Sequence, residues 1–184
     1  MQTVLVILTV VVVGSLWFVG TYNGLVRSRT EAEEAFSTMD VYLKKRFDLI
    51  PNLVETVKGY AKHESETLEK VIAARNAVAA APSDAARAEG ENMISGALRQ
   101  IFALSESYPD LKANTNFQDL QAQLKSAEQD IANARKFYNA TVREYNIKVQ
   151  SVPSNLVAMT TGFKKKPLYE VTDSAERENV QVKF

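Results

Sequence analysis

The N-terminal segment of this 184-residue chain carries no charged side chain before Arg27. Residues 3–20 (TVLVILTVVVVGSLWFVG) form a run of 18 residues with nothing more polar than Thr or Ser. At about 1.5 Å per helical residue, such a run spans roughly 27 Å, which is enough for the hydrocarbon core of a bilayer. The sequence therefore predicts a transmembrane anchor over residues 1–21.

The residues that flank this segment favour an uncleaved anchor over a signal peptide. A signal peptide has Lys or Arg before its apolar run and small residues at a cleavage site, and neither feature is found here. Trp17, Phe18 and Tyr22 lie at the end of the segment, where amphipathic rings prefer the headgroup level of a membrane. We therefore predict that these three side chains mark the membrane interface.

Basic residues predict the orientation of the anchor. The early positive charges all follow the apolar segment, at Arg27, Arg29, Lys44, Lys45 and Arg46. Because cytoplasmic flanks are enriched in Lys and Arg, the N-terminus is predicted to lie outside and the C-terminal part in the cytoplasm.

Composition excludes several classes of function. Lys plus Arg and Asp plus Glu each number 22, and the two signs are interleaved, so no basic footprint for nucleic acid is visible. The chain has no cysteine, which excludes thiolate metal sites, cysteine nucleophiles and disulfides. Seven glycines and five prolines, with abundant Ala, Glu, Leu and Lys, favour helices over a turn-rich sheet protein.

Apolar residues recur every three or four positions after the anchor, which is the spacing of a buried helical stripe. The first stripe runs from Tyr22 to Ala61 and passes through Pro51. Pro51 cannot donate a hydrogen bond to the carbonyl of Phe47, so a helix kink or a break is predicted near residues 49–51.

Three further stripes run over residues 68–78, 94–108 and 117–149. Ser83 or Asp84 is predicted to cap the third helix, residues 110–116 to form a polar loop, and Pro153 to end the fourth helix. The predicted fold is all-α, with an antiparallel up-and-down four-helix bundle of left-handed supercoil over residues 22–152. Residues 153–184 are predicted to hold a short helix and a flexible tail, whose Lys164 to Lys166 either contact anionic headgroups or stay solvated.

No catalytic, metal or cofactor residues are predicted. His63 is the single histidine, and Thr67 stands where a zinc-protease motif would need a second one. A di-iron bundle also needs more than one histidine. His63 is expected to be a solvated or helix-capping group, with a catalytic use beside Glu64 or Glu66 as the alternative.

Polar residues beside the apolar stripes form the remaining unusual set: Asp40, Tyr138, Asn139, Tyr145 and Asn146. Buried hydrogen bonds from such positions can fix the register of neighbouring helices, as polar residues do in coiled coils. The same residues could instead line a shallow ligand groove. Helix register is the favoured interpretation, because tyrosines with bonded hydroxyls are ordinary core residues.

Several stretches carry a resemblance to a known family. They include "YNGLVRSRTEAEEAFSTMDVYLKKRFDLIPNLVETVKGYAKHE", the "AAR" of Ala73 to Arg75, "YPDLKANTNFQDLQAQLKSAEQDIANARKFYNATVREYN" and "VPSNLVAMTTGFKKKPLYE". With the anchor, they resemble the LemA family over essentially the whole chain. The resemblance implies a single-pass protein of the bacterial inner membrane with a helical bundle after its anchor. It supplies no catalytic or binding residues, and its gene context alone suggests an HtpX-like membrane protease as a partner.

Three hypotheses of function follow from the sequence. The first is a non-enzymatic membrane scaffold or adaptor, held in lipid by the N-terminal helix, that binds other membrane proteins and further copies of itself. The second is an accessory enzyme at the membrane, and a small-molecule sensor is a third option that the fold permits.

Overall fold

The structure is a computed structural model that describes residues 1–61 and 64–169. Within these residues the chain forms helices and no strands, which confirms the all-α prediction. The helices are α1 (Gln2–Tyr60), α2 (Ser65–Ala79), α3 (Asp84–Ser105), α4 (Pro109–Lys112), α5 (Thr115–Gln150) and α6 (Ser154–Thr161).

Helix α1 is continuous from the apolar N-terminal segment into the first amphipathic stripe. It passes through Pro51 without interruption. The break considered at residues 49–51 is therefore wrong, while the kink at Pro51 stays a prediction. A proline within a helix removes one backbone hydrogen bond, which here is the one to the carbonyl of Phe47.

Capping residues in the sequence correctly predicted where two of the helices begin. Ser83 caps α3 by accepting a hydrogen bond from the backbone N–H of Ala86 at 3.2 Å, and Asn114 Oδ1 accepts from the N–H of Phe117 at 2.9 Å at the start of α5. Both caps satisfy donors that a helix start leaves unpaired. The polar loop predicted over residues 110–116 is only partly a loop, because its first residues belong to the short helix α4.

The contacts divide the chain into two compact units, to both of which α1 and α5 contribute. Unit 1 comprises Met1–Met39 and Ala134–Leu168, and unit 2 comprises Asp40–Asn133 with Tyr169. The predicted domain boundaries at residues 21 and 152 stay predictions.

Unit 2 has an apolar core to which five helices contribute, including α4 through the buried side chain of Leu111. Ile50 comes from α1, Leu68 from α2, Ile94 from α3 and Leu124 from α5, and all four side chains are buried. Helices α2 and α3 approach closely at Gly90, where an added Cβ would lie 2.8 Å from Val78 Cγ2. The glycine is thus required by the spacing of the two backbones.

Unit 1 has a smaller core beside the end of the apolar segment. Leu25 of α1 is buried with Val157 and Ala158 of α6, and Val149 and Phe163 pack against them. Gly162 ends α6 with a φ of 79°, a left-handed conformation that suits glycine. This turn directs the chain into residues 163–168, which we call the strap.

Candidate functional site

The apolar N-terminal part of α1 is the first functional feature. Within the described residues, one helix contains a segment long and apolar enough to cross a membrane, and none of that segment is buried against the protein. Trp17, Phe18 and Tyr22 are all partly exposed near its end. Tyr22 also packs edge-on against Phe163, with 5.8 Å between ring centroids. Their role at a membrane interface stays a prediction.

A group of charged side chains inside unit 2 is the second feature, and we call Arg46, Glu91, Ser95 and Glu128 the charge cluster. The Arg46 side chain is 0% exposed and that of Glu91 is 1% exposed. Arg46 donates to Glu91 Oε2 at 2.5 Å, to the Glu91 carbonyl at 3.0 Å and to Ser95 Oγ at 2.6 Å. It also pairs with Glu128, whose side chain is 34% exposed.

The charge cluster joins three helices of unit 2, since Arg46 lies on α1, Glu91 and Ser95 on α3, and Glu128 on α5. Ser95 Oγ donates in turn to Glu128 Oε2 at 3.0 Å. One guanidinium thus contacts two carboxylates from different helices. We expect such an arrangement to favour one relative placement of the three helices, because each charge is costly to bury without its partners.

An open groove of about 330 Å³ lies at the surface of unit 2 beside the charge cluster. Its lining residues are Asp40, Leu43, Lys44, Phe47, Val78, Ala79, Arg87 and Glu91. Asp40 forms a salt bridge with Arg87, and Arg75 stacks 4.1 Å above the ring of Phe47. The groove therefore combines apolar walls with charged groups of both signs.

Polar side chains of α5 hold the strap in unit 1. Tyr145 donates its hydroxyl to the Lys164 carbonyl at 2.8 Å, and Tyr138 donates to the Pro167 carbonyl at 3.1 Å. Asn146 bonds Lys166 twice, donating from Nδ2 to the carbonyl at 2.8 Å and accepting from the N–H at 2.9 Å. The strap is thus hydrogen-bonded along α5, and the flexible tail predicted from the sequence stays a prediction, with its residues 170–184 outside the described part of the chain.

One further contact secures the strap to α1. Lys166 Nζ lies 3.0 Å from Glu33 Oε1, and Arg29 lies 2.9 Å from the same oxygen. Hydrogen bonds from Arg29 and Lys166 hold the pKa of Glu33 below its usual value. Burial raises the pKa of Tyr145 above the usual value for a tyrosine.

The residues predicted from sequence to set helix register are thus divided between the two units. Asp40 lies at the groove, whereas Tyr138, Tyr145 and Asn146 bind the main chain of the strap; Asn139 lies half-buried on α5. Their role in helix register stays a prediction. The hypotheses that involve His63 lie outside the described residues, within which no group of three metal-ligating side chains occurs.

Sequence reasoning missed Arg46 and Glu91. The signal was present, because Met39, Leu43, Arg46 and Ile50 follow the spacing of a buried stripe. Phe47 was assigned to the buried stripe in place of Arg46, because Phe47 is apolar. A charged residue at a core position is the pattern that predicts a buried ion pair with a distant partner.

The described residues define an all-helical protein with one exposed apolar segment near its N-terminus, a buried charge cluster, and a strap that is hydrogen-bonded along α5. A sequence model described as the LemA family matches residues 35–184. The chain therefore belongs to the LemA family.

Individual relatives agree with this assignment. The chain is 27% identical to Protein LemA of Metamycoplasma hominis over 168 residues, covering 90% of this chain and 74% of the relative. It is 24% identical to Magnetosome protein MamQ 2 of Paramagnetospirillum magneticum, covering 81% of this chain and 64% of the relative. It is likewise 24% identical to Magnetosome protein MamQ of Magnetospirillum gryphiswaldense, of which it spans 62%. Family and relatives together suggest a membrane-associated protein.

Proposed function

We propose that this protein is a membrane-anchored helical scaffold that acts through protein–protein contacts. The continuity of α1 carries the proposal, because one helix contains both the exposed apolar segment and the residues that enter the helical cores. A binding partner of the helical part would thereby be tethered to the membrane. We place the anchor in the bacterial inner membrane, with the helical part in the cytoplasm.

The helical part is proposed to be an antiparallel four-helix bundle. Two observations support this arrangement: the four longer helices α1, α2, α3 and α5 contribute most of the core of unit 2, and only Ala80 to Ser83 separate α2 from α3. Short connections favour antiparallel neighbours in bundles. A bundle of this kind presents long helical faces on which partners can pack.

One exposed surface of unit 2 suits a helical partner. Met93 is 50% exposed at the edge of a shallow depression that contains Ala73, Gly96 and Ala97. Small side chains allow another helix to approach closely, and an exposed methionine adapts to irregular partners. We propose that further copies of this chain, or other membrane proteins such as an HtpX-like protease, bind here.

Photocrosslinking in cells tests the scaffold. A photoreactive residue replaces Met93 in the full-length chain, and Lys58, which is exposed on α1, serves as the control position. We expect dimers or adducts with a distinct protein from position 93 and much weaker products from position 58. Monomer alone from position 93, or equal products at both positions, contradicts the proposal.

The groove favours a second candidate, a sensor of a small molecule. Its volume of about 330 Å³ lies within the usual range for ligand sites, and Glu91 Oε1 has no hydrogen-bond partner among the described residues. Native mass spectrometry of the full-length chain tests this candidate. A bound mass that is lost on Phe47→Ala substitution supports a sensor, and the bare mass of the unaltered chain contradicts it.

A further inference from the structure

Helix α6 packs against α1 directly after the apolar segment ends. Phe163, just beyond α6, contacts Tyr22, and Leu25 is buried against Val157 and Ala158. Tyr22 follows Gly20 by two residues, which is about 3 Å along a helix axis. If the apolar segment spans a membrane, α6 therefore lies at the level where α1 leaves it.

The other side of α6 exposes large apolar side chains. Val152 is 80% exposed, Leu156 is 58% exposed and Met159 is 77% exposed. Leu156 and Met159 are three residues apart in α6, which places them on one side of the helix, opposite the buried pair Val157 and Ala158, and Val152 lies two residues before α6 begins. Three large exposed apolar side chains within eight residues of sequence favour a contact surface over scattered surface residues.

The charges around α6 match a membrane surface. From Ser151 to Phe163 the sequence SVPSNLVAMTTGF contains no charged residue. Lys164 and Lys165 follow at once and are exposed, while Lys166 is engaged by Glu33. The Tyr145 and Asn146 hydrogen bonds fix the strap on both sides of Lys165. Two exposed lysines therefore directly follow the uncharged segment in the chain.

We propose that residues 151–165 form a second membrane contact, in which α6 lies in the interface of the leaflet from which α1 emerges. Val152, Leu156 and Met159 would enter the boundary between headgroups and acyl chains, as the apolar faces of interfacial helices do. Lys164 and Lys165 would attract anionic headgroups. This inference rests on the proposed anchoring of α1. Proximity to the anchor favours lipid over a second protein, because the surface begins at the exit of the apolar segment.

The absence of cysteine from the sequence permits a direct test with single-cysteine variants of the full-length chain. Met159→Cys probes α6, Val12→Cys probes the anchor, and Phe137→Cys is an exposed control position in unit 1. Phe137 adjoins Tyr138, which contacts Phe36 of α1. Phe36 lies 14 residues after Tyr22, which is about 21 Å along the helix, so position 137 is distant from the end of the apolar segment. Each variant carries an environment-sensitive fluorophore and is reconstituted in nanodiscs of phosphatidylcholine and phosphatidylglycerol with nitroxide-labelled lipid.

We expect lipid nitroxides to quench the labels at residues 12 and 159 several-fold more than the label at residue 137. Quenching at residue 12 with none at residue 159 overturns the membrane contact while leaving the anchor intact. A label at residue 159 that is shielded from water yet unquenched shows that protein covers α6, which also overturns the proposal. Absence of quenching at residue 12 overturns the anchor and this inference together.

The lysines are tested in the same system. Combining Lys164→Gln and Lys165→Gln with the Met159 label should reduce quenching in anionic nanodiscs and leave it unchanged in purely zwitterionic ones. Lys44→Gln, on an exposed side chain of unit 2, is the matched control and should change neither. Equal quenching with and without the two lysines in anionic nanodiscs overturns the electrostatic part of the contact.

Discussion

At the scale of single residues, Arg46 shows how a charged side chain is accommodated in the core of unit 2. Its guanidinium reaches partners 45 and 82 positions away in the sequence. Removing a charge from water costs several kcal/mol, and the attraction of its partners offsets this only when the geometry is good. We therefore expect the cluster to favour this arrangement of α1, α3 and α5 over others that would leave a carboxylate buried alone.

The first prediction is that Arg46→Met destabilises the protein by about 3–5 kcal/mol, because Glu91 would become a buried charge without a partner. Thermal unfolding of the full-length chain in detergent, followed by circular dichroism, measures the effect. Adding Glu91→Leu to Arg46→Met should recover much of the lost stability. A double variant as unstable as the single one would show that the ion pair is not the cause.

An exposed salt bridge on the same helix provides the control. Lys44 and Asp48 are paired at 2.9 Å, with 71% and 56% of their side chains exposed. Pairs of this kind contribute about 0–1 kcal/mol, so Lys44→Met should have little effect on unfolding. A similar loss in both variants would mean that burial does not distinguish them.

At the scale of helices, the close approach of α2 and α3 depends on Gly90. An added Cβ would lie 2.8 Å from Val78 Cγ2 and 3.1 Å from the Val78 backbone nitrogen, so the backbones would have to separate. We predict that Gly90→Ala lowers the free energy of unfolding of the helical part by about 1–3 kcal/mol. Chemical denaturation of the full-length chain in detergent measures this change.

Gly96 on the same helix is the matched control, since an added Cβ there meets nothing within 4 Å. Alanine favours a helix over glycine by about 1 kcal/mol, so Gly96→Ala should be neutral or stabilising. Destabilisation by both substitutions would point to a general sensitivity of α3 instead of a close approach at Gly90.

The strap gives a second prediction for this scale. Asn146→Ala removes two hydrogen bonds to Lys166, each contributing about 1 kcal/mol. We expect trypsin to cut faster after Lys164 and Lys165 in this variant. Asn133→Ala, at an exposed position of the same helix, should leave the cutting rate unchanged. Equal protection of the strap in both variants would show that Asn146 does not hold it.

Low pH should loosen the strap as well. The pKa of Glu33 is lowered by its hydrogen bonds to Arg29 and Lys166, so its contribution is fully present above the ordinary carboxyl value and is lost as pH falls through the lowered one. Hydrogen exchange at Lys165 and Lys166, corrected for the intrinsic pH dependence, should rise as pH falls below 4.5. In Glu33→Gln the corrected exchange should not depend on this pH range, and an unchanged dependence would contradict the role of Glu33.

Periodicity and capping predicted the helices well because both depend on neighbours in the sequence. The cap at Ser83 and the end of α5 before Pro153 follow from such local chemistry. The strap could not be predicted this way, since side chains about 20 residues earlier bind its backbone. The partners of Arg46 could not be predicted for the same reason, because they are distant in the sequence. The sequence shows that a charged residue occupies the apolar stripe, but it does not show which carboxylates bind it.

At the scale of the whole molecule, the proposed orientation depends on charges beside the anchor. Arg27 and Arg29 follow Gly20 within ten residues, and the structure leaves both largely exposed. Arg46 also contributed to the prediction from sequence, but it is buried in its ion pairs. The orientation therefore relies on the residues nearest the membrane, which are the ones that the positive-inside rule weights most strongly.

The final prediction is that the N-terminus lies outside the inner membrane and the helical part inside. In intact spheroplasts, a membrane-impermeant maleimide should label Gln2→Cys but reach Phe137→Cys, an exposed position on α5, only after lysis. The unaltered chain has no cysteine and sets the background. Labelling of residue 137 in intact spheroplasts, with residue 2 protected, would reverse the orientation. The scaffold would then recruit partners from outside the cytoplasm, and α6 would contact the outer leaflet.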